Sequence, residues 1–297
     1  MLALLSPAKT MDMTPSPSGL KSKPLLQKQA EALVSILKKL PAAELQRMMS
    51  VSKDLAQQTA ARYSKFTSQP SKVMPVHYVL QRLIDAHCNL ALVVESRRCP
   101  LRSSLAFDGP AFRGLRASMF SKAEQKQAQA SLRILCALYG VLKPYDGIRP
   151  YRLEMASKLK TSRGKTMYEF WGDQITAALA KDLKAGKIKY LVNCASQEFW
   201  KSIQPKKLPP GVRVVTCEFS GPSSLVKQAR GSMCRFIVTK RIKDPAGLKK
   251  FTGDDKNRWS FQVGRSSESK LVFAPGKKRA AEDAKASSKR AKRAKRS

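Results

Sequence analysis

Glycine and proline interrupt the chain at Gly140, Pro144, Gly147 and Pro150, and no single helix survives that spacing. The stretch from Leu138 to Met155 therefore reads as a helix end, a tight hairpin and a second start. Three cations (Lys143, Arg149, Arg152) and three tyrosines (Tyr139, Tyr145, Tyr151) ride on those turns. Cations interleaved with aromatics suit phosphates and bases. The same pattern also fits a structural turn whose tyrosines are core, and the residues alone leave both readings open. A second dense block, Tyr168-Glu169-Phe170-Trp171-Gly172-Asp173, follows closely.

Charge bears on the partner of such a surface. The 297 residues hold 57 Lys and Arg against 21 Asp and Glu, a net +36. From Lys277 onward ten cations face two acids, so +8 of the +36 lies there and +28 lies in the body. An excess this large favours polyanions, nucleic acid before anionic membrane. No apolar run approaches the roughly 18 residues of a spanning helix, so no membrane span is expected.

The six cysteines (Cys88, Cys99, Cys136, Cys194, Cys217, Cys234) include no Cys-x-x-Cys pair, and the histidines are His77 and His87. Zinc spacing is absent and no disulfide framework is implied. Free thiols fit a reducing compartment. The start, Met1 to Pro7, lacks the charged region of a signal peptide and the Arg/Ser pattern of a transit peptide.

In chain order, Leu2 to Ser6 reads as a buried strand stopped by Pro7. Lys9, just past it, is placed to hold a phosphate, or is an exposed turn lysine; the Gly-rich cradle of a Walker loop is missing. Helical spacing covers Leu25–Leu40, Ala43–Met49, Ser52–Tyr63, Val76–Val94 and Phe120–Leu138. Ser50 and Ser52 are candidate N-caps, and Ser121 with Glu124 is a capping box. Thr166–Leu183 reads as one helix with Trp171, Ile175, Leu179 and Leu183 on a stripe. Glu169 and Asp173 would then share a face, available for acid/base chemistry or Mg²⁺, or simply as acids near the helix start. Tyr190–Ala195 is a strand whose end carries Asn193, Ser196 and Glu198, where sites gather in α/β folds. Cys194 has no histidine to serve it as a nucleophile. Gly211–Phe219 is strand-like, Ser224–Ile242 helical with Lys227, Arg230 and Arg235, and Lys249–Val272 a closing hairpin. Beyond Pro275 the composition cannot form a core. Its clusters at Lys277–Arg279 and Lys289–Arg296 resemble a bipartite nuclear import signal or a nucleic-acid arm.

Several stretches together resemble the YaaA peroxide-stress protein family. They are Leu4–Thr10, Leu138–Leu142, Arg149–Met155, Tyr168–Asp173, Val192–Ser196 with Glu198, Pro205–Leu208, and Ala229–Gly231 followed by Met233 and Arg235–Ile237. The chain departs from the family by extra length between Arg62 and Phe107, an altered Phe107–Phe112, a trimmed hairpin between Phe219 and Lys227, and Gln228 in place of Lys.

The resemblance implies an intracellular protein that limits oxidative damage and is linked to control of free iron. It implies a mixed α/β (α+β) single domain over residues 1–275 with a positively charged cleft; the basic tail at 276–297 lies outside the resemblance and is expected to be disordered from its composition. It further implies a helix-hairpin-helix element, assigned to Tyr139-Gly140-Val141, and affinity for double-stranded DNA.

The expected function is DNA binding in the peroxide-stress response through Lys9, Tyr139, Gly140, Val141, Lys143, Arg149, Arg152, Lys227, Arg230 and Arg235. The expected state is a cytoplasmic or nuclear monomer without cofactor or metal, with an import receptor as a partner through 277–296. Two other functions fit the residues. One is a nucleic-acid or nucleotide enzyme using Lys9, Glu154, Glu169, Asp173, Asn193 and Glu198. The other is a polyanion adaptor acting through the tail.

Overall fold

The computed structural model describes residues 1–13, 22–67, 101–254 and 257–276. Strand β1 (Leu2–Leu5) is followed by the short β2 (Thr10–Met11) and helices α1 (Gln27–Leu37), α2 (Ala42–Met49) and α3 (Lys53–Ser64). Next come β3 (Leu101–Arg102), α4 (Ser103–Ala106), β4 (Phe107–Asp108), α5 (Pro110–Leu115), α6 (Lys122–Ser131), β5 (Leu132–Cys136), β6 (Gly140–Leu142) and β7 (Gly147–Ile148). The remainder is α7 (Met167–Trp171), α8 (Gln174–Ala185), β8 (Tyr190–Asn193), α9 (Gln197–Trp200), β9 (Arg213–Phe219), α10 (Ser223–Thr239), α11 (Pro245–Leu248), β10 (Trp259–Phe261) and β11 (Lys270–Pro275).

The main sheet has seven strands in the order β10-β11-β9-β8-β1-β5-β6. The inner five run parallel and the two edges antiparallel. Helices α6 and α10 pack together against β1, α6 reaching β5 and α10 reaching β9, while α8 packs on β6. Parallel strands covered this way are apolar throughout, and every residue of β1 and β5 is buried. A buried leucine contributes about 2 kcal/mol, so Leu2, Leu4 and Leu5 anchor the centre of a single continuous core. The fold is a mixed α/β single domain.

The strand order positions the site. β1 pairs with β5 on one side and β8 on the other. The chain builds outward from β1 to β5 and β6, then crosses back to add β8, β9 and β11 on the opposite side. Connections leaving neighbouring strands in opposite directions open a crevice at the strands' C-terminal ends. Here that crevice falls after Leu5 and Asn193.

Four local expectations are corrected. Helix α6 starts at its capping box, Ser121 Oγ accepting from Glu124 N, but ends at Ser131. Leu132–Cys136 is a strand, and its leucines mimicked a helical stripe because both faces of a central strand are buried. Thr166–Leu183 is broken at Gly172, whose φ of 51° ends α7. Glu169 therefore caps α7 through the Thr166 backbone N–H, while Asp173 pairs with Lys207 at 3.1 Å; the two acids do separate jobs.

Tyr139-Gly140-Val141 is not flanked by helices: it is the turn from β5 into β6, wholly buried, with Gly140 at φ 68° against the Trp171 ring. Ser50 is the left-handed C-cap of α2 rather than an N-cap, and Ser52 alone caps α3. The tyrosines of the opening stretch are core: Tyr139, Tyr145 and Tyr151 are each at most 4% exposed. The expected helix at Val76–Val94, with His77 and His87, and the basic clusters from Lys277 lie outside the described residues.

Candidate functional site

A cleft of about 280 Å³ opens at the crevice between β1 and β8. Its floor is Leu5 and Ser6 after β1 and Cys194 and Ser196 after β8. The two strand ends are tied directly. Cys194 N donates to Leu4 O at 3.0 Å, Ser196 N to Ser6 Oγ at 2.8 Å, and Ser6 Oγ to Ser196 Oγ at 3.2 Å. One wall is the β2–β4 pair and the start of α5, with Thr10 opposite Asp108 and then Gly109, Pro110 and Ala111. The segment from Tyr151 to Glu154 forms another wall, Glu198 and Phe199 of α9 a third, and Lys227 and Arg230 of α10 a fourth.

Helix α10 sits close because glycines face backbone. A Cβ on Gly231 would lie 1.7 Å from Ala111 O, and one on Gly114 would lie 2.1 Å from Gln228 O. Arg235 secures the same contact: its Nη1 donates to Arg116 O at 3.1 Å and its guanidinium lies 5.3 Å from the Phe120 ring centre.

At the rim, one carboxylate oxygen of Glu154 accepts from Lys9 Nζ at 2.9 Å and Arg152 Nη2 at 3.3 Å. Arg152 Nη1 also reaches Lys9 O at 3.4 Å. Lys9 is 65% exposed, so its ion pair stabilises little, whereas Arg152 is held by the burial around it. Glu198 accepts from Ala156 N, and Tyr168 Oη donates to Glu198 O. The Nε–H groups of Arg152 and Arg230 are buried and have no hydrogen-bond partner among the described residues. Burial lowers the Arg230 guanidinium from its usual value, partly opposed by Cys194 and Glu218.

The structure thus gathers Lys9, Arg152, Glu154, Glu198, Lys227 and Arg230 of the sequence candidates into one cleft. It does not gather the others. Glu169 caps α7, Asp173 sits beside Lys181, Lys184 and Lys207 in a separate shallow depression, and the buried Asn193 accepts from Ala195 N to shape the strand end. Tyr139, Gly140, Val141, Lys143, Arg149 and Arg235 are not cleft residues either. Arg149 N donates to Tyr139 Oη, and Lys143 N to Asp146 Oδ2. The cleft carries Asp108 as well, so its charge is mixed rather than uniformly positive. Sequence reasoning missed Ser6 and the Asp108–Ala111 wall, and set Cys194 aside for want of a histidine. Ser6, the polar residue between the apolar run Leu2–Leu5 and Pro7, was the available signal.

Chemically the cleft offers fixed cations and N–H donors without a partner among the described residues for an anion, with three carboxylates (Asp108, Glu154, Glu198) beside them for orientation or proton transfer. Its volume suits one small ligand and not a duplex. Among the described residues no group of three or more His, Cys, Asp or Glu is arranged to hold a metal ion, and no helix is long and apolar enough to cross a membrane.

The family model described as "Peroxide stress protein YaaA" matches residues 1–262. The chain is 37% identical over 282 residues to the UPF0246 protein Bpet1601 of Bordetella petrii, covering 92% of this chain and 98% of that protein. It is 35% identical over 283 residues to the UPF0246 protein RD1_0358 of Roseobacter denitrificans, covering 92% and 97%. A UPF0246 protein of Burkholderia lata is likewise 35% identical over 282 residues. The chain belongs to the YaaA peroxide-stress protein family.

Proposed function

We propose that this chain acts in the peroxide-stress response by binding DNA, with the cleft seating a backbone phosphate or a single nucleotide between Lys9, Arg152, Lys227 and Arg230. The observation that carries the reading is the pair of buried guanidinium N–H groups, without a hydrogen-bond partner among the described residues, on two arginines that line one cleft. A buried donor without an acceptor costs about 1–3 kcal/mol, and a phosphate oxygen is an acceptor of the right charge. The body charge of +28 supplies long-range attraction for a polyanion. Duplex docking then takes place on the surface around the cleft, with one phosphate or nucleotide entering it.

The test is fluorescence anisotropy of a labelled duplex across a salt series. Arg152→Ala with Arg230→Ala should weaken binding about tenfold or more and lower the salt slope by about two. Unchanged affinity and slope would remove the cleft from the account. Full loss of binding on deleting residues 276–297 would instead place binding in the tail. Control of free iron belongs to the same proposal as an indirect effect, and cells lacking the chain should show raised chelatable iron under peroxide. A second reading, a nucleotide-processing enzyme, is favoured by Glu154 and Glu198 sharing the cleft with Lys9. Turnover of a nucleotide or oligonucleotide that Glu198→Gln abolishes would establish it.

A further inference from the structure

Three cysteines that no motif links in sequence meet beneath the cleft. Asn193 on β8 is in register with Thr216 on β9, so Cys194 comes level with Cys217. Neighbouring strands lie about 4.8 Å apart, inside the Cα separation a disulfide spans. Cys234 sits one turn beyond Arg230 on α10, and residues four apart share a helix face. The Cys194 thiol interacts with the thiols of both Cys217 and Cys234. All three are free and at most 2% exposed, and Cys194 and Arg230 both line the cleft.

We propose that Cys194 is a peroxide-oxidised thiol on the floor of the cleft, resolved by Cys217 or Cys234 into an intramolecular disulfide. The Cys194 sulfur attacks one oxygen of hydrogen peroxide; the S–O bond forms, the O–O bond breaks, and hydroxide leaves and takes up the thiol's proton as water. The sulfur of Cys217 or Cys234 then attacks Cys194; the S–S bond forms, the S–O bond breaks, and a second water leaves. Two thiols are oxidised and one peroxide is reduced to two waters. Hydrogen peroxide is little larger than water and enters a cleft of about 280 Å³; the fully buried Cys194 thiol meets it when the floor opens locally.

The surroundings favour Cys194 as the attacking atom. Hydrogen bonds from Cys217 and then Cys234 hold its thiol well below the ordinary range, with Arg230 adding to them against burial, while the same bonds and burial push Cys217 and Cys234 up. A thiolate, not a thiol, is the nucleophile. Cys194 needs no histidine when two thiols and a guanidinium serve it. The proposal takes its oxidant from the family's peroxide-stress role and does not depend on DNA binding.

The test uses the full-length chain exposed to hydrogen peroxide, alkylated, digested and mapped by mass spectrometry, with Cys88 and Cys99 as internal references. The expected result is a dithiothreitol-reversible crosslink from the Cys194 peptide to the Cys217 or Cys234 peptide. In the Cys217→Ser, Cys234→Ser double variant, dimedone should label Cys194. Recovery of Cys194 as an unmodified thiol from the wild-type chain overturns the proposal, whatever happens at Cys88 and Cys99. A crosslink joining only Cys88 and Cys99 overturns it as well.

Discussion

Gly231→Ala should be among the most damaging single-methyl additions this protein can receive. Helix α10 touches α5 backbone to backbone, and the added Cβ would sit 1.7 Å from Ala111 O, 2.7 Å from Ala111 C and 2.9 Å from Leu115 N. Ordinary contact begins near 3.4 Å, so α5 would have to retreat by about 1.7 Å, roughly the difference. No flexible side-chain end is available to give way, because all three obstacles are backbone. Overpacking usually costs 1–3 kcal/mol, and a clash this deep against backbone belongs at the upper end, about 3 kcal/mol. For a domain this size that corresponds to a melting temperature lowered by about 6–12 °C. Thermal unfolding followed by circular dichroism measures it. Gly264→Ala, with open space around its Cβ, serves as the control and should melt within about 2 °C of wild type. If Gly231→Ala melts with the control, the backbone-to-backbone crossing that sets Lys227 and Arg230 against Ala111 is wrong.

Trp171→Phe removes the bond from Trp171 Nε1 to Ala137 O at 2.8 Å in a fully buried site. The orphaned carbonyl should cost about 1–3 kcal/mol in urea unfolding, and an unchanged midpoint would deny that bond any weight. Asp146 is buried, and desolvation raises its carboxyl above the usual value despite bonds from Ser22 and the Lys143 backbone. A carboxyl raised on folding contributes stability that is fully present below its unfolded value and is lost as pH rises through its folded value. Asp146→Asn should therefore flatten the decline of stability between those two values, and a variant that declines as steeply as wild type refutes the assignment.

The sheet's first strand and the cleft beside it were partly legible because their signals are local. Leu2–Leu5 is apolar and stops at Pro7, and Asn193, Ser196 and Glu198 cluster at the end of Tyr190–Asn193. The capping box at Ser121 is also local, and it forms; the one at Thr166, equally local, went unread. The failures share a physical cause. A strand buried on both faces has no alternation, so Leu132 and Leu135, with Leu138 of the following turn, passed for a helical stripe. Gly140 opened β6 and Gly172 ended α7 by adopting positive φ, which a residue name permits but does not require. The cysteine cluster and the Gly114–Gly231 crossing depend on contacts between distant segments. No spacing rule reaches from Cys194 to Cys234, or from Ala111 to Gly231.

The central claim is that the cleft between β1 and β8 receives a phosphate. A crystal structure of the full chain with a short oligonucleotide tests it most directly. The account predicts a phosphate oxygen within hydrogen-bond distance of Arg152 Nε and Arg230 Nε, beside Lys9. Phosphates lying instead along Lys181, Lys184 and Lys207, with the cleft unoccupied, would contradict it.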